Sequence, residues 1–400
     1  MRERSTSPYR GLALVGVAVL VLSTTAFFRV PLLPDIGRDL EMTAAQLGLI
    51  TSMFAAGRLL TDLPAGGLLE RVRAAGLLSV SATAMLIGSA LLALAGGPLT
   101  VYLAAFVLGI ASAVTPATGR HAFSVAAPRR RRGTALAVFS TALLAGQALG
   151  PLAGGTLAAS TSWRVALGVA AGICVLLLTA LLWSFARGGD GRTPDPDPDA
   201  APANGPGDPA RVPLRPGTQS ALLFVAFAMF FTLGALPQTL IPLIGSADLG
   251  LSVEWIGAAL GVGGACRLVG GFVGGVLSDR VSRRAALLPG LLLQALGVAL
   301  VAGGGVAWWL AGIVVMSLAS WSISVGATIL ADLAPQGRLG PQLGRFRFVG
   351  DVGLIHGPMI AAQVYQRAGV TATVAAIAAL LVAAALWTGV SVPETRSAAR

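Results

Sequence analysis

The sequence contains no lysine: all 28 of its basic residues are arginine. It has two histidines, two cysteines and a charged fraction of only 11%, where a soluble chain carries about 25%. Each shortage excludes something. Without lysine there is no G-x-x-x-x-G-K-S/T loop to cradle phosphates, so direct use of ATP is not expected. Cys174 and Cys266 both lie in apolar runs, without disulfide or metal-ligand spacing, and read as inert side chains; no metal or cofactor is expected. No residue pattern suggests covalent chemistry, so no enzyme activity is expected. With 55% hydrophobic residues and a mean hydropathy of +0.80, the chain cannot cover itself with polar surface and must lie in a membrane. The short alternating segments of a transmembrane barrel are also missing. Long runs that are apolar on all sides remain, and these fit helices whose backbone groups are satisfied within each segment.

Twelve spans are expected, at roughly 11–34, 44–68, 75–96, 98–122, 133–158, 163–186, 218–244, 253–277, 284–304, 306–330, 345–367 and 369–391. The first begins after Arg2, Arg4 and Arg10; it is longer than a signal-peptide core and no A-x-A site follows it, so it reads as a span. The net charge of +11 does not point to nucleic acid. The arginines gather in alternate connections, at Arg71 and Arg73, Arg129 to Arg132, Arg187 to Arg215, Arg280 to Arg284, and Arg338, whereas the other connections hold only Arg38, Arg164 and Arg367. This bias places both termini in the cytoplasm. Arginine, alanine and glycine abundance fits a bacterial source, hence a multi-pass protein of the bacterial inner (plasma) membrane, with the lipid bilayer as its main partner.

The spans repeat. "GRLLTDLPAGGLLERV" (57–72) aligns with "CRLVGGFVGGVLSDRV" (266–281), pairing Arg58 with Arg267 and Gly66 with Gly275. "PDIG" (34–37) aligns with "PLIG" (242–245), and "GQALGP" (146–151) with "GLIHGP" (353–358). Three anchors in order at nearly one offset indicate duplication of a six-helix unit, a transporter architecture with the substrate site between halves. Residues 1–186 then form an N-terminal half and 218–400 a C-terminal half. Between them 187–217 is rich in proline and aspartate and is expected to be an extended, disordered cytoplasmic linker.

Two motifs carry the functional reading. "GGLLERVRAA" and "GVLSDRVSRR" follow spans two and eight. In each an acid ends a helix and arginines open the next connection: Gly66, Glu70, Arg71 and Arg73 in the first copy, Gly275, Asp279, Arg280, Arg283 and Arg284 in the second. Gly275 is expected to permit close helix approach, and the arginines to pair with carboxylates or lipid phosphates. With these residues the chain resembles the major facilitator superfamily across all twelve spans. Ser282 stands where the signature has its second glycine, and Glu70 where it has aspartate. The resemblance implies a twelve-helix fold of two pseudo-symmetric halves. In span five, G-x-x-x-G-P-x-x-G-G is complete at Gly146, Gly150, Pro151, Gly154 and Gly155, and matches the family's antiporter motif, similar to that of proton-driven exporters of drugs and metabolites. Family exporters often carry an arginine midway along span four. Here that region, "AAFVLGIASAVTPATGRH", has none before Arg120.

An ionisable residue inside a span is a functional candidate. Arg58, Asp62, Arg267, Asp351 and His356 qualify, with Asp62, Asp351 and His356 as proton sites; Arg58 and Asp62 share a helix face, as do Arg347 and Asp351. Spans one, four, seven and ten line the cavity in family members, which makes Arg29, Phe231, Gln238, Ser317, Ser320, Trp321 and Ser324 cavity candidates. Arg29 at the outer end of span one is expected to face the outer water rather than substrate. The function expected is alternating access: a monomer driven by the proton gradient that exports a small organic molecule. Two alternatives stand beside it, uptake of an anion or nutrient through Arg58 and Arg267, and a non-transporting receptor-like relative.

Overall fold

The structure is a computed structural model. It describes residues 8–62, 74–127, 131–186, 215–334 and 339–393. The first signature loop with Gly66, Glu70, Arg71 and Arg73, the linker from 187 to 214, and the arginines at 129, 130 and 338 lie outside the described residues.

The described chain is all helix. Twelve membrane-length segments follow one another: α1 Pro8–Phe27, α2 Ala44–Asp62, α3 Ala74–Ala93, α4 Pro98–Ala126, α5 Arg132–Ser160, α6 Trp163–Ala186, α7 from Pro216, α8 Val253–Arg280, α9 Arg283–Leu300, α10 Val306–Leu333, α11 (339–368) and α12 (370–391). They number as the sequence spans do. A short helix, Leu33–Asp39, bridges α1 and α2. At Gly369 φ is +76°, and the backbone turns sharply between α11 and α12; glycine adopts this left-handed geometry without the cost of a Cβ. The chain divides into two compact units. The first holds Met1–Leu40, Met53–Ala200 and Val253–Gly261; the second holds Glu41–Ser52, Ala201–Ser252 and Val262–Arg400. The start of α8 is therefore described with the first unit, and the start of α2 with the second.

Polar groups are satisfied locally, as an apolar solvent requires. In the first unit Ser81 of α3 donates to the Ala111 carbonyl at 2.8 Å and meets Thr115 at 2.7 Å, beside Pro116 in α4. Arg164, at the start of α6, donates to the carbonyls of Ala93 and Ala95 that end α3 and pairs with Asp39 at 2.9 Å. Arg38 pairs with Asp35. Two arginines on the arginine-poor face are thus used as a helix cap and a helix brace.

In the second unit α7 runs past Ala235 through two π-helical turns, Leu236–Leu240 and Ile244–Asp248. Pro237 and Pro242 each lack a backbone donor there. Nearby carbonyls are met by hydroxyls: Thr239 donates to Gly234 at 3.1 Å, and Thr51 of α2 donates to Gln238 at 3.2 Å. Ser282 caps α9, its side chain accepting from the Ala285 amide. That explains the departure from the second signature glycine: serine supplies a cap acceptor that glycine lacks. Arg283 reaches Asp332 of α10 at 3.0 Å and Ser278 at 3.0 Å, and Arg284 donates to the Gly389 carbonyl of α12.

Candidate functional site

The stretch around Pro151 is the centre of a three-helix junction. Gly146, Gly150 and Gly154 are buried on the face of α5 that meets α1. A Cβ built on them would lie 2.5, 2.5 and 2.4 Å from the carbonyl oxygens of Leu20, Thr24 and Phe28. Each glycine thus sits over one carbonyl of α1 or of the turn that follows it, at a spacing of four residues along both segments, and no side chain fits. Gly155 faces another way. Its Cβ would be 2.7 Å from the Val253 carbonyl, and that of Gly257 in α8 would be 2.5 Å from the Pro151 carbonyl. Pro151 and the paired glycines therefore seat α5 on α8 backbone to backbone, the close approach that small residues permit.

The second unit repeats this geometry. Cβ atoms on Gly353 and Gly357 of α11 would lie 2.4 and 2.3 Å from the carbonyls of Phe227 and Phe231 in α7. Gly48 of α2 meets the Pro358 carbonyl at 2.5 Å and Ala362 Cβ at 2.6 Å. Each contact of α11 lies 207 residues beyond its counterpart in α5, and Gly48 is 209 before Gly257. The two junctions differ in polarity. Around Gly48, Ser52 donates to the Ile355 carbonyl at 2.6 Å and the Ala45 amide to Gln366 at 3.1 Å.

The candidate charges are placed as follows. Asp351 in α11 is completely buried and forms an ion pair with Arg347 at 3.4 Å. His356, one turn on, is exposed, with Nδ1 2.8 Å from the Val352 carbonyl of its own helix. Arg58 donates to Ser112 of α4 at 2.9 Å, at a crossing where Gly57 and Gly109 bring the backbones of α2 and α4 together. The Asp62 and Asp279 side chains lie outside the described residues. Arg267 is half-buried, and its Nε is buried with no hydrogen-bond partner among the described residues.

Two expectations are corrected. Arg29 does not face outer water: it is 1% exposed and its guanidinium lies 4.1 Å over the Phe54 ring. The turn after α1 folds inward onto α2, and the aromatic face compensates the desolvated cation. Gly275 is not the close contact of α8, because a Cβ there would meet nothing within 4 Å. Gly270 and Gly274 approach α10 closely instead: their Cβ atoms would lie 2.0 Å from the Leu318 carbonyl and 2.1 Å from Trp321 Cβ. A 3-10 turn, Ala319–Trp321, interrupts α10 at that point and sets Trp321 against α8 and α9. Its indole donates to the Ala286 carbonyl at 3.0 Å.

The remaining cavity candidates on α10 flank the 3-10 turn; Ser317 is buried, Ser320 half-buried and Ser324 exposed. Gln238 and Phe231 are buried in the packing of α7, with Phe231 5.8 Å from Phe227. Replacing Phe54 by leucine should remove the ring beneath Arg29 and lower the melting temperature of the purified protein; a desolvated cation–π contact contributes about 2 kcal/mol.

A sequence profile described as the Major Facilitator Superfamily matches residues 15–272 and 221–400. The chain belongs to the major facilitator superfamily. It is a multi-pass membrane transporter of that superfamily. Among its relatives, a chloramphenicol resistance protein of Streptomyces lividans is 26% identical over 297 residues, 70% of each chain. The inner membrane transport protein YdhP of Escherichia coli K12 is 24% identical over 272 residues, 67% of this chain and 66% of YdhP. Solved structures share the fold. A bacterial homolog of the human lysosomal transporter Spinster, in an inward-facing and occupied conformation, superimposes with a TM-score of 0.75 at 16% identity over 97% of both chains. A peptide transporter POT in complex with sulfate gives 0.74 at 15% identity, over 95% of this chain and 94% of that one. Superfamily transporters are not enzymes, and among the described residues no cluster of side chains could hold a metal ion.

Proposed function

We propose that this transporter exports a small organic molecule in exchange for protons, by alternating access of its two halves, as a monomer with both termini in the cytoplasm. The observation that carries this reading is the seating of the complete glycine-proline motif of α5 against α1 and α8 through three backbone carbonyls and a glycine pair. Such a dry contact can seal one route while it is closed and leaves no polar group unpaired when it parts. The name of the Streptomyces relative supports export of drug-like molecules. Asp351, completely buried beside Arg347, is the proton carrier in this reading. The carboxylate is held out of water, so its charge state responds to whether Arg347 stays near.

A second reading rests on Arg267, whose buried Nε has no partner among the described residues. A desolvated cation in a span can attract an anion, which suits anion or nutrient uptake with Arg58 as its counterpart. Counterflow in proteoliposomes separates the readings, with candidate solutes chosen by a ligand-induced rise in melting temperature. Export of organic molecules predicts counterflow that Arg267→Ala leaves within about twofold of wild type. Loss of counterflow confined to anionic solutes in Arg267→Ala supports uptake instead. Counterflow of no solute, with protein that still unfolds cooperatively, contradicts both.

A further inference from the structure

At the arginine-rich end of the first unit, α1, α4 and α5 enclose a groove of about 510 Å³. Its walls are Leu12, Gly16 and Leu20 of α1, Phe123 of α4 and Val138 of α5, with one hydroxyl, Thr134. Among the described residues the single charged side chain lining it is Arg131, at the start of α5. Arg131 is exposed and has no hydrogen bond or ion pair among the described residues, whereas its neighbour Arg132 is spent on the Ser124 carbonyl at 2.7 Å. Among the described residues no acid lines the groove. The glycine strip does not fill it either: Gly16 leaves its floor open, since a Cβ there would only touch Phe123 at 3.5 Å.

We propose that this groove binds a single-chain amphiphile with an anionic head, the chain lying along α1 and α5 and the head at Arg131. Four features select that chemistry. Leu12 to Leu20 and Thr134 to Ala142 each run about 12 Å along their helices, so the apolar part is a trough rather than a patch. Val17 and Val138, on its walls, are 52% and 54% exposed, so a chain can slide in sideways and cover them. The volume lies in the range of sites for one small ligand, about 300–1,000 Å³. The charge is one-sided and placed at the end of the trough, where it can meet an anionic head. This site goes beyond the export reading and does not depend on it.

The test uses full-length protein in vesicles of pure phosphatidylcholine, without any gradient. The probe is dodecanoate carrying a terminal diazirine, with labelled peptides mapped by mass spectrometry. Labelling should fall on α1 and α5 residues of the groove, and unlabelled dodecanoate should displace it. Arg131→Gln should weaken labelling about tenfold, the loss of one charged contact, and Arg131→Lys should retain most of it. Gly16→Leu, which fills the trough and leaves the cation, should weaken it as well. Thermal unfolding checks that each variant is folded. Equal labelling by the neutral dodecanol analogue, or unchanged labelling in both Arg131→Gln and Gly16→Leu, would overturn the proposal. So would labelling by a diazirine phospholipid that dodecanoate does not displace.

Discussion

Gly257→Val should slow transport sharply, while Gly275→Ala should leave it almost intact. Both glycines lie on α8, and the second belongs to the loop signature. Their surroundings are opposite. At Gly257 the first added carbon meets the Pro151 carbonyl at 2.5 Å and the Gly155 Cα at 3.0 Å; at Gly275 it meets nothing. The obstacle at Gly257 is backbone, which cannot swing aside as a side chain would. Overpacking of this kind costs about 1–3 kcal/mol. If the cost falls on one conformation of the transport cycle, it shifts the balance about 5- to 150-fold. Counterflow rates should therefore fall about 5- to 150-fold in Gly257→Val. Gly275→Ala removes a helix-weakening residue without a clash, so folding should be unharmed. Equal rates in the two variants would show that the α5–α8 seat has no part in the cycle.

Asp351→Asn should abolish gradient-driven accumulation and preserve counterflow. Asparagine keeps the shape of the side chain but neither binds nor releases a proton. Counterflow needs binding and conformational exchange, and draws on no proton gradient, so it survives. The substitution leaves Arg347 without its acid, but that side chain is 40% exposed and can turn toward water. Asp332→Asn is the control: it removes an acid that is 42% exposed and paired with Arg283 at the end of α10. It should retain accumulation. Accumulation that persists in Asp351→Asn would move the coupling site elsewhere, with Asp62 the next candidate.

Much of this architecture was legible as a list of residues. Lack of charge required a membrane bundle, long apolar runs set the number of spans, and the register of glycines around Pro151 and Pro358 marked two equivalent helices. What those glycines touch was not legible. Leu20, Thr24 and Phe28 contribute only carbonyl oxygens, which any residue has, so no sequence pattern distinguishes them. Arg29 was misplaced because a cation at a span end ordinarily goes to water; its aromatic partner, Phe54, lies on another helix. The 3-10 turn at Ala319–Trp321 was not legible either, because no proline or glycine marks it. Ser282 could have been found, since a serine just before a helix that opens a connection is a cap signal.

Proton movement during solute exchange decides most directly how this transporter works. Proteoliposomes holding an imposed pH gradient and an internal pH dye should lose the gradient faster when a transported solute is added. The solute-dependent loss should vanish in Asp351→Asn. Solute that crosses the wild-type protein at full rate with no change in internal pH would contradict proton-coupled export.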